Sequence, residues 1–94
     1  MRQVLNVGGT GLRIATLLLR LTDQLGVARD GDGTWIPVQL SRQDLADLCG
    51  TTIETAIRVM TRLGREGIVR SAARGFVIAD RAGLERTARG EREA

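Results

Sequence analysis

The sequence has no histidine, tyrosine or lysine, and only one cysteine, one proline and two aromatic residues, Trp35 and Phe76. Each scarcity excludes something. Without histidine, and with Cys49 alone, no set of residues has metal-ligand spacing. A single cysteine cannot close an internal disulfide, which fits a reducing cytosol. No carboxylate cluster is present and no nucleophile has a base beside it, so the chain is not expected to be an enzyme. The most apolar run, residues 14–19, is interrupted by Thr16 and is far too short to span a bilayer, and nothing resembles a signal peptide. With aromatics nearly absent, a core must be assembled from Leu, Ile, Val and Ala. A hydrophobic content of 43% in 94 residues supplies enough of them for one small domain.

All fourteen basic residues are arginine, and against eleven acids they leave a net charge of +3. Their distribution says more than the total. Between Arg58 and Arg74, five arginines (58, 62, 65, 70 and 74) stand against one acid, Glu66, a local balance of five minus one, or +4. A guanidinium group matches phosphate oxygens and guanine edges with two parallel hydrogen bonds, so the cluster fits a polyanionic partner. A plain solvated helix face would also account for it.

Along the chain, residues 1–11 end in three glycines around Thr10 and read as a hinge or N-terminal remnant of a linker helix. Residues 12–25 are helical by period, with Ile14, Leu17, Leu18, Leu21 and Leu25 as the buried stripe. The two Asp-Gly pairs in residues 28–35 predict a turn, and residues 34–40 a short strand that Pro37 demotes to an edge or an irregular start. Ser41 and Asp44 have capping-box spacing for a short helix ending at Gly50. A second helix, capped by Thr51 or Thr52, runs to about Arg65, with Gly64 and Gly67 closing it. Residues 68–71 and 76–79 form a hairpin. The tail, 81–94, could form a loose helix to about Arg89 but has little to bury, so it is expected to be partly disordered. The predicted fold is mainly α with a small antiparallel sheet, a winged helix-turn-helix occupying residues 12–80.

The spacing of Ala46, Gly50, Ala56 and Val59 is what two closely crossing helices joined by a sharp turn require. Ala56, Val59, Met60 and Leu63 then face inward, towards Leu45, Leu48 and Cys49, which leaves Ile53, Glu54, Ile57, Arg58, Thr61, Arg62 and Arg65 outside. In a helix-turn-helix this second helix enters the DNA major groove. Arg58 can then pair with guanine, Glu54 can accept from the cytosine amino group, and Ile53 or Ile57 can touch a thymine methyl. Arg62 and Arg65, further along, suit phosphates. Other readings stand beside these. Glu54 could close a capping box with Thr51, Arg58 could pair with Glu54 one turn away, and Ile57 could cover the core or a protein partner.

The stretch "LSRQDLADLCGTTIETAIRVMTRLGREGIV", with "SRQDLADLCG" and Glu54-Thr55-Ala56-Ile57-Arg58 as its most specific parts, resembles the C-terminal, winged helix-turn-helix DNA-binding domain of the Crp/Fnr family of bacterial transcription regulators. The likeness extends from about residue 12 to residue 80. It implies that Glu54 and Arg58 read bases, with Ile53 and Ile57 beside them, and that Ser41, Arg42 and Gln43 hold the phosphate backbone. Thr52, Thr61, Arg62, Arg65 and Arg74 join this backbone set. Two residues depart from the pattern: Ile53 sits where the cyclic-AMP-responsive branch has an arginine, and Ile57 is larger than is common there. Nothing resembles the family's sensor β-barrel, its long dimerisation helix, or a nucleotide, haem or iron–sulfur site, so the chain reads as an excised domain or a sensorless protein with no cofactor. The partners expected are double-stranded DNA bearing a palindromic operator, a second copy of the chain, and RNA polymerase, in the cytoplasm at the bacterial nucleoid. The competing expectation is a winged-helix module that binds protein, which the exposed isoleucines would suit.

Overall fold

The computed structural model describes residues 2–29 and 33–90. Four helices surround a four-stranded antiparallel sheet. In chain order they are α1 (Arg2–Leu25), β1 (Val27–Ala28), β2 (Thr34–Ile36), α2 (Arg42–Cys49), α3 (Ile53–Arg65), β3 (Val69–Ala72), β4 (Gly75–Ile78) and α4 (Arg81–Ala88). The spatial order of the strands is β1-β2-β4-β3. Ile36 pairs with Phe76, and Thr34 and Val69 both pair with Ile78, which puts these side chains on one face of the sheet. That face and the helices enclose a core built around Ile14, Leu18, Ile36, Leu45, Leu63, Ile78 and Leu84, all fully buried.

Of the two readings of residues 1–11, the hinge is not there, because α1 continues through Gly8, Gly9 and Gly11. Glycine permits a break without compelling one. A glycine in a helix interior costs about 1 kcal/mol relative to alanine, and none of these three takes a positive φ. The buried stripe of α1 is also narrower than its period suggests. Ile14, Ala15, Leu18 and Thr22 are buried, Leu17 and Leu21 are half-buried, and Leu25 is exposed at the helix end. Thr22 is tolerated inside because its hydroxyl donates to the Leu18 carbonyl at 2.8 Å.

The segment predicted as an edge strand or an irregular start is an inner strand. Strand β2 lies between β1 and β4 and stops at Ile36, so the N–H that Pro37 lacks falls outside the ladder. The two-residue β1, unforeseen in the sequence, covers its other side through Val27↔Trp35 and Ala28↔Thr34. Of the predicted Asp-Gly turn, Asp30, Gly31 and Asp32 lie outside the described residues. Gly33 has φ +80°, and its carbonyl accepts from the Arg29 amide at 2.9 Å.

The tail differs as well. Helix α4 packs on α1 and contributes the fully buried Leu84 to the core. Asp80 caps it by accepting from the Gly83 amide at 3.0 Å, and Arg81 ties it to α1 through Asp23 at 3.1 Å. A single leucine gave too weak a periodic signal to reveal this docking. The expectation of disorder at the very end falls on residues 91–94, outside the described residues.

Candidate nucleic-acid interface

The core of the site is two helices at a fixed angle, and each end of each helix is closed locally. Ser41 caps α2 with both halves of the capping box: its hydroxyl accepts from the Asp44 amide, and its own amide donates to Asp44 Oδ2, both at 2.9 Å. Gly50 ends α2 in the left-handed region at φ 68°. Only residues 50–52 separate the helices, and Thr52 caps α3 by accepting from the Thr55 amide at 3.2 Å. At the far end Gly67, at φ +74°, makes a Schellman closure in which the Ile68 amide reaches the Leu63 carbonyl and the Gly67 amide the Gly64 carbonyl. Gly64, expected to help close the helix, lies inside α3 instead.

Because Thr52 is the cap, Thr55 occupies the third helical position and Glu54 the second. Glu54 therefore cannot close a capping box, which removes one competing role for it. The second competing role is absent too. Among the described residues, no ion pair joins Glu54 to Arg58, and neither has another hydrogen-bonded partner.

The inward face of α3 is Ala56, Met60 and Leu63, with Val59 half-buried against the core. Ala46 and Ala56 are both fully buried where the two helices pack, so neither carries a side chain that would push them apart. Leu48, expected to join this packing, is 62% exposed. In so short a helix Leu45, Ala46 and Cys49 take the buried face, and Leu48 is left beside a shallow hollow lined by Leu12, Arg13, Leu17 and Arg20. Arg13 donates from Nη1 to the Cys49 carbonyl at 3.0 Å, placing a cation at the negative end of α2. Burial pushes the Cys49 thiol up, with the Arg13 charge pulling the other way.

The outward face of α3 carries Ile53, Glu54, Ile57, Arg58, Thr61 and Arg65, all exposed. Ile53 and Ile57 keep 36% and 45% of their surface open, which a purely structural helix would avoid. Two ladders run side by side, apolar Ile53–Ile57 and polar Glu54–Arg58, each spaced by one turn. Arg62 is half-buried and committed to Glu66 at 3.1 Å.

The remaining residues of the predicted site lie on two other elements. Ser41, Arg42 and Gln43 open α2, Arg42 half-buried and the other two exposed, and Gln43 spends one amide hydrogen on Asp47 at 2.9 Å. Arg74 is exposed on the turn between β3 and β4, the wing. A hollow lined by Gln39, Ser41, Arg42, Ser71 and Gly75 places the start of α2 directly beside the wing strands. Two residues with a structural part here were not singled out in the sequence. Trp35 Nε1 donates to the Arg74 carbonyl at 2.7 Å, and Gln39 Nε2 donates to the Ala73 carbonyl at 3.2 Å. With the partners 39 and 34 positions apart along the chain, no local pattern could have revealed either bond.

The Crp-like helix-turn-helix domain matches residues 12–87 of this chain. The nitrogen fixation regulation protein FixK of Bradyrhizobium diazoefficiens is 37% identical over 73 residues, which cover 78% of this chain and 30% of FixK. The transcriptional regulator LdrP of Thermus thermophilus is 37% identical over 90 residues, covering 96% of this chain and 45% of LdrP. Among solved structures, TTHB099, a transcriptional regulator of the CRP family from Thermus thermophilus, superposes with a TM-score of 0.71 at 34% identity, over 98% of this chain and 48% of that one. The chain thus spans less than half the length of these relatives.

Proposed function

We propose, for a chain that belongs to the Crp-like helix-turn-helix family, that it is the sequence-specific DNA-binding part of a transcription regulator and that α3 enters the major groove. The observation that carries this is the state of Glu54 and Arg58, exposed and, among the described residues, unpartnered, on a helix whose opposite face is packed. In the groove Arg58 donates to guanine O6 and N7, Glu54 accepts from a cytosine amino group, and Ile53 and Ile57 lie against thymine methyls. The thirteen residues of α3 rise about 20 Å at 1.5 Å each. One end can therefore meet base edges while Thr61 and Arg65, further along, meet phosphates. Thr52 at the cap, Ser41, Arg42 and Gln43 at the start of α2, and Arg74 on the wing complete the backbone contacts. Arg62 joins them by exchanging Glu66 for a phosphate, a small loss because both members of the pair are partly exposed.

The same reading gives a palindromic operator bound by two copies of the chain, since one module makes few phosphate contacts and a two-fold site presents two half-sites. It places the protein at the nucleoid, with RNA polymerase as a further partner. Among the described residues no helix is long and apolar enough to cross a membrane.

The test is fluorescence anisotropy with labelled palindromic and mixed-sequence duplexes over a range of salt, for the parent and Arg58→Ala. The expected result is a steep salt slope with a preference for the palindrome, and loss of about 1–3 kcal/mol of that preference in Arg58→Ala. The exposed isoleucines favour a second reading, a winged-helix module that docks on protein. Absence of binding by the parent even at low salt would select it.

A further inference from the structure

The wing of this domain is fastened down. Ala72 pairs with Gly75, so Ala73 and Arg74 alone make the turn between β3 and β4. Neither takes a positive φ, and Gly75 follows at φ +99°. This is the pattern of a type I turn completed by a left-handed residue. Gly75 is needed for a second reason: a Cβ there would run into the Ile36 carbonyl and the Val38 backbone. The wing therefore lies directly against β2 and the connection from β2 to α2: the strand supplies one side-chain donor, Trp35 to the Arg74 carbonyl, and the connection the other, Gln39 to the Ala73 carbonyl. The Arg29 guanidinium sits over the Trp35 ring, 5.4 Å from its centroid.

Ala73 and Arg74 are exposed, so water could satisfy both carbonyls. The two side-chain donors are thus not needed for hydrogen-bond satisfaction. What they fix is position. The segment they spring from, residues 35–39, leads within two residues of Gln39 to Ser41, the cap of α2, so the wing turn and the start of α2 share one support.

We propose that Trp35 and Gln39 are positioning residues for DNA. They hold the wing turn so that Arg74 meets the phosphate backbone in register with Ser41 and Arg42 at the start of α2. The inference rests on the DNA-binding reading above, and it adds a function for two residues that touch no DNA themselves. Each phosphate that a protein neutralises steepens log K against log salt by about 0.9 on duplex DNA. An arginine that is no longer held in place fails to reach its phosphate, and the slope then falls even though the arginine is still present.

The experiment is a salt titration of binding to a mixed-sequence duplex for the parent, Trp35→Phe, Gln39→Ala, Arg74→Ala and Trp35→Phe/Arg74→Ala, with a thermal melt of each. Gln39 is exposed, so Gln39→Ala keeps the test open if the indole is needed for folding. Arg74→Ala is expected to lower the slope by about 0.9, equivalent to one phosphate. Trp35→Phe and Gln39→Ala should each lower it by a measurable part of that with Arg74 intact, and Trp35→Phe should lower it no further once Arg74 is gone. A purely structural role would shift the melt and leave the slope alone. The inference is overturned if both variants keep the parent slope, if their effect adds to that of Arg74→Ala, or if Arg74→Ala itself leaves the slope unchanged. In each of those cases the parent still binds and the DNA-binding reading stands. A parent that shows no salt-dependent binding overturns both.

Discussion

Leu84 decides whether the last helix belongs to the domain. It is fully buried and is the only large buried side chain of α4, whose other buried residue is Gly83. Truncating a buried leucine to alanine costs about 2–5 kcal/mol, depending on how far the surroundings collapse. Beyond Leu84, the two-turn helix α4 has only the smaller Ala88 half-buried against the core, its Asp80 cap and the exposed Arg81–Asp23 ion pair to α1. It can shift when its anchor goes, which favours the lower half of the range, about 3 kcal/mol. At about 0.05–0.15 kcal/mol per residue a chain of this length has only some 5–14 kcal/mol in all. For a domain of this size about 3 kcal/mol lowers the melting midpoint by roughly 12–24 °C. Thermal and urea denaturation followed by circular dichroism measure it, with Leu84→Met as the volume-conserving control expected to cost less than about 1.5 kcal/mol. If Leu84→Ala melts within about 4 °C of the parent, the docking of α4 contributes less than about 1 kcal/mol and the domain ends at β4.

Two further outcomes follow from the turn and from the buried thiol. Gly50 is left-handed, but a Cβ there meets nothing nearer than Arg13 Nη1 at 4.0 Å. Gly50→Ala should therefore cost only the backbone strain, about 1–2 kcal/mol by urea titration, and a larger loss would mean that the turn is more crowded than this spacing allows. Burial raises the Cys49 thiol above its ordinary value of 9.0 in the folded protein, so folding favours its protonated form. The sign follows from linkage: this stabilisation is complete below the unfolded value and is lost as pH rises through the folded one. The melting midpoint of the parent should fall more steeply above about pH 9 than that of Cys49→Ala, and equal slopes would show that the thiol is not shielded.

What the sequence made legible was the part whose structure is settled by near neighbours. Ser41 and Asp44, Gly50, Thr52 and Gly67 lie within a few residues of the amides and carbonyls they serve, so the helix-turn-helix could be drawn with its boundaries almost in place. The exposed face of α3 followed from the same period. What could not be read depends on distant packing. Leu48 has the chemistry of a core residue, and it stays outside because Leu45, Ala46 and Cys49 form the one face that α2 buries. Strand β1 exists because β2 offers it a partner, the expected tail helix docks because α1 offers Leu84 a place, and the Trp35 and Gln39 bonds form because Gly75 lets the wing come close. The proposed base-reading roles of Glu54 and Arg58 are a different matter, since what the structure adds is the absence of any competing partner for them among the described residues.

The local closure of α2 and α3 has a consequence for the order in which the chain acquires structure. From Ser41 to Ile68, the caps and end-closing hydrogen bonds join residues no more than five apart. The loop entropy that must be overcome before they form is therefore small. The β2–β4 ladder is the reverse case: Trp35 pairs with Val77 and Ile36 with Phe76, across some forty residues. Pairings at such range form late and slowly. The two-helix unit is expected to be the early, persistent part of the folding reaction. In native-state hydrogen exchange its amides should then open with the global transition, while those of the β2–β4 ladder open at a lower free energy. The element that carries the proposed base-reading residues would be the last to lose its shape.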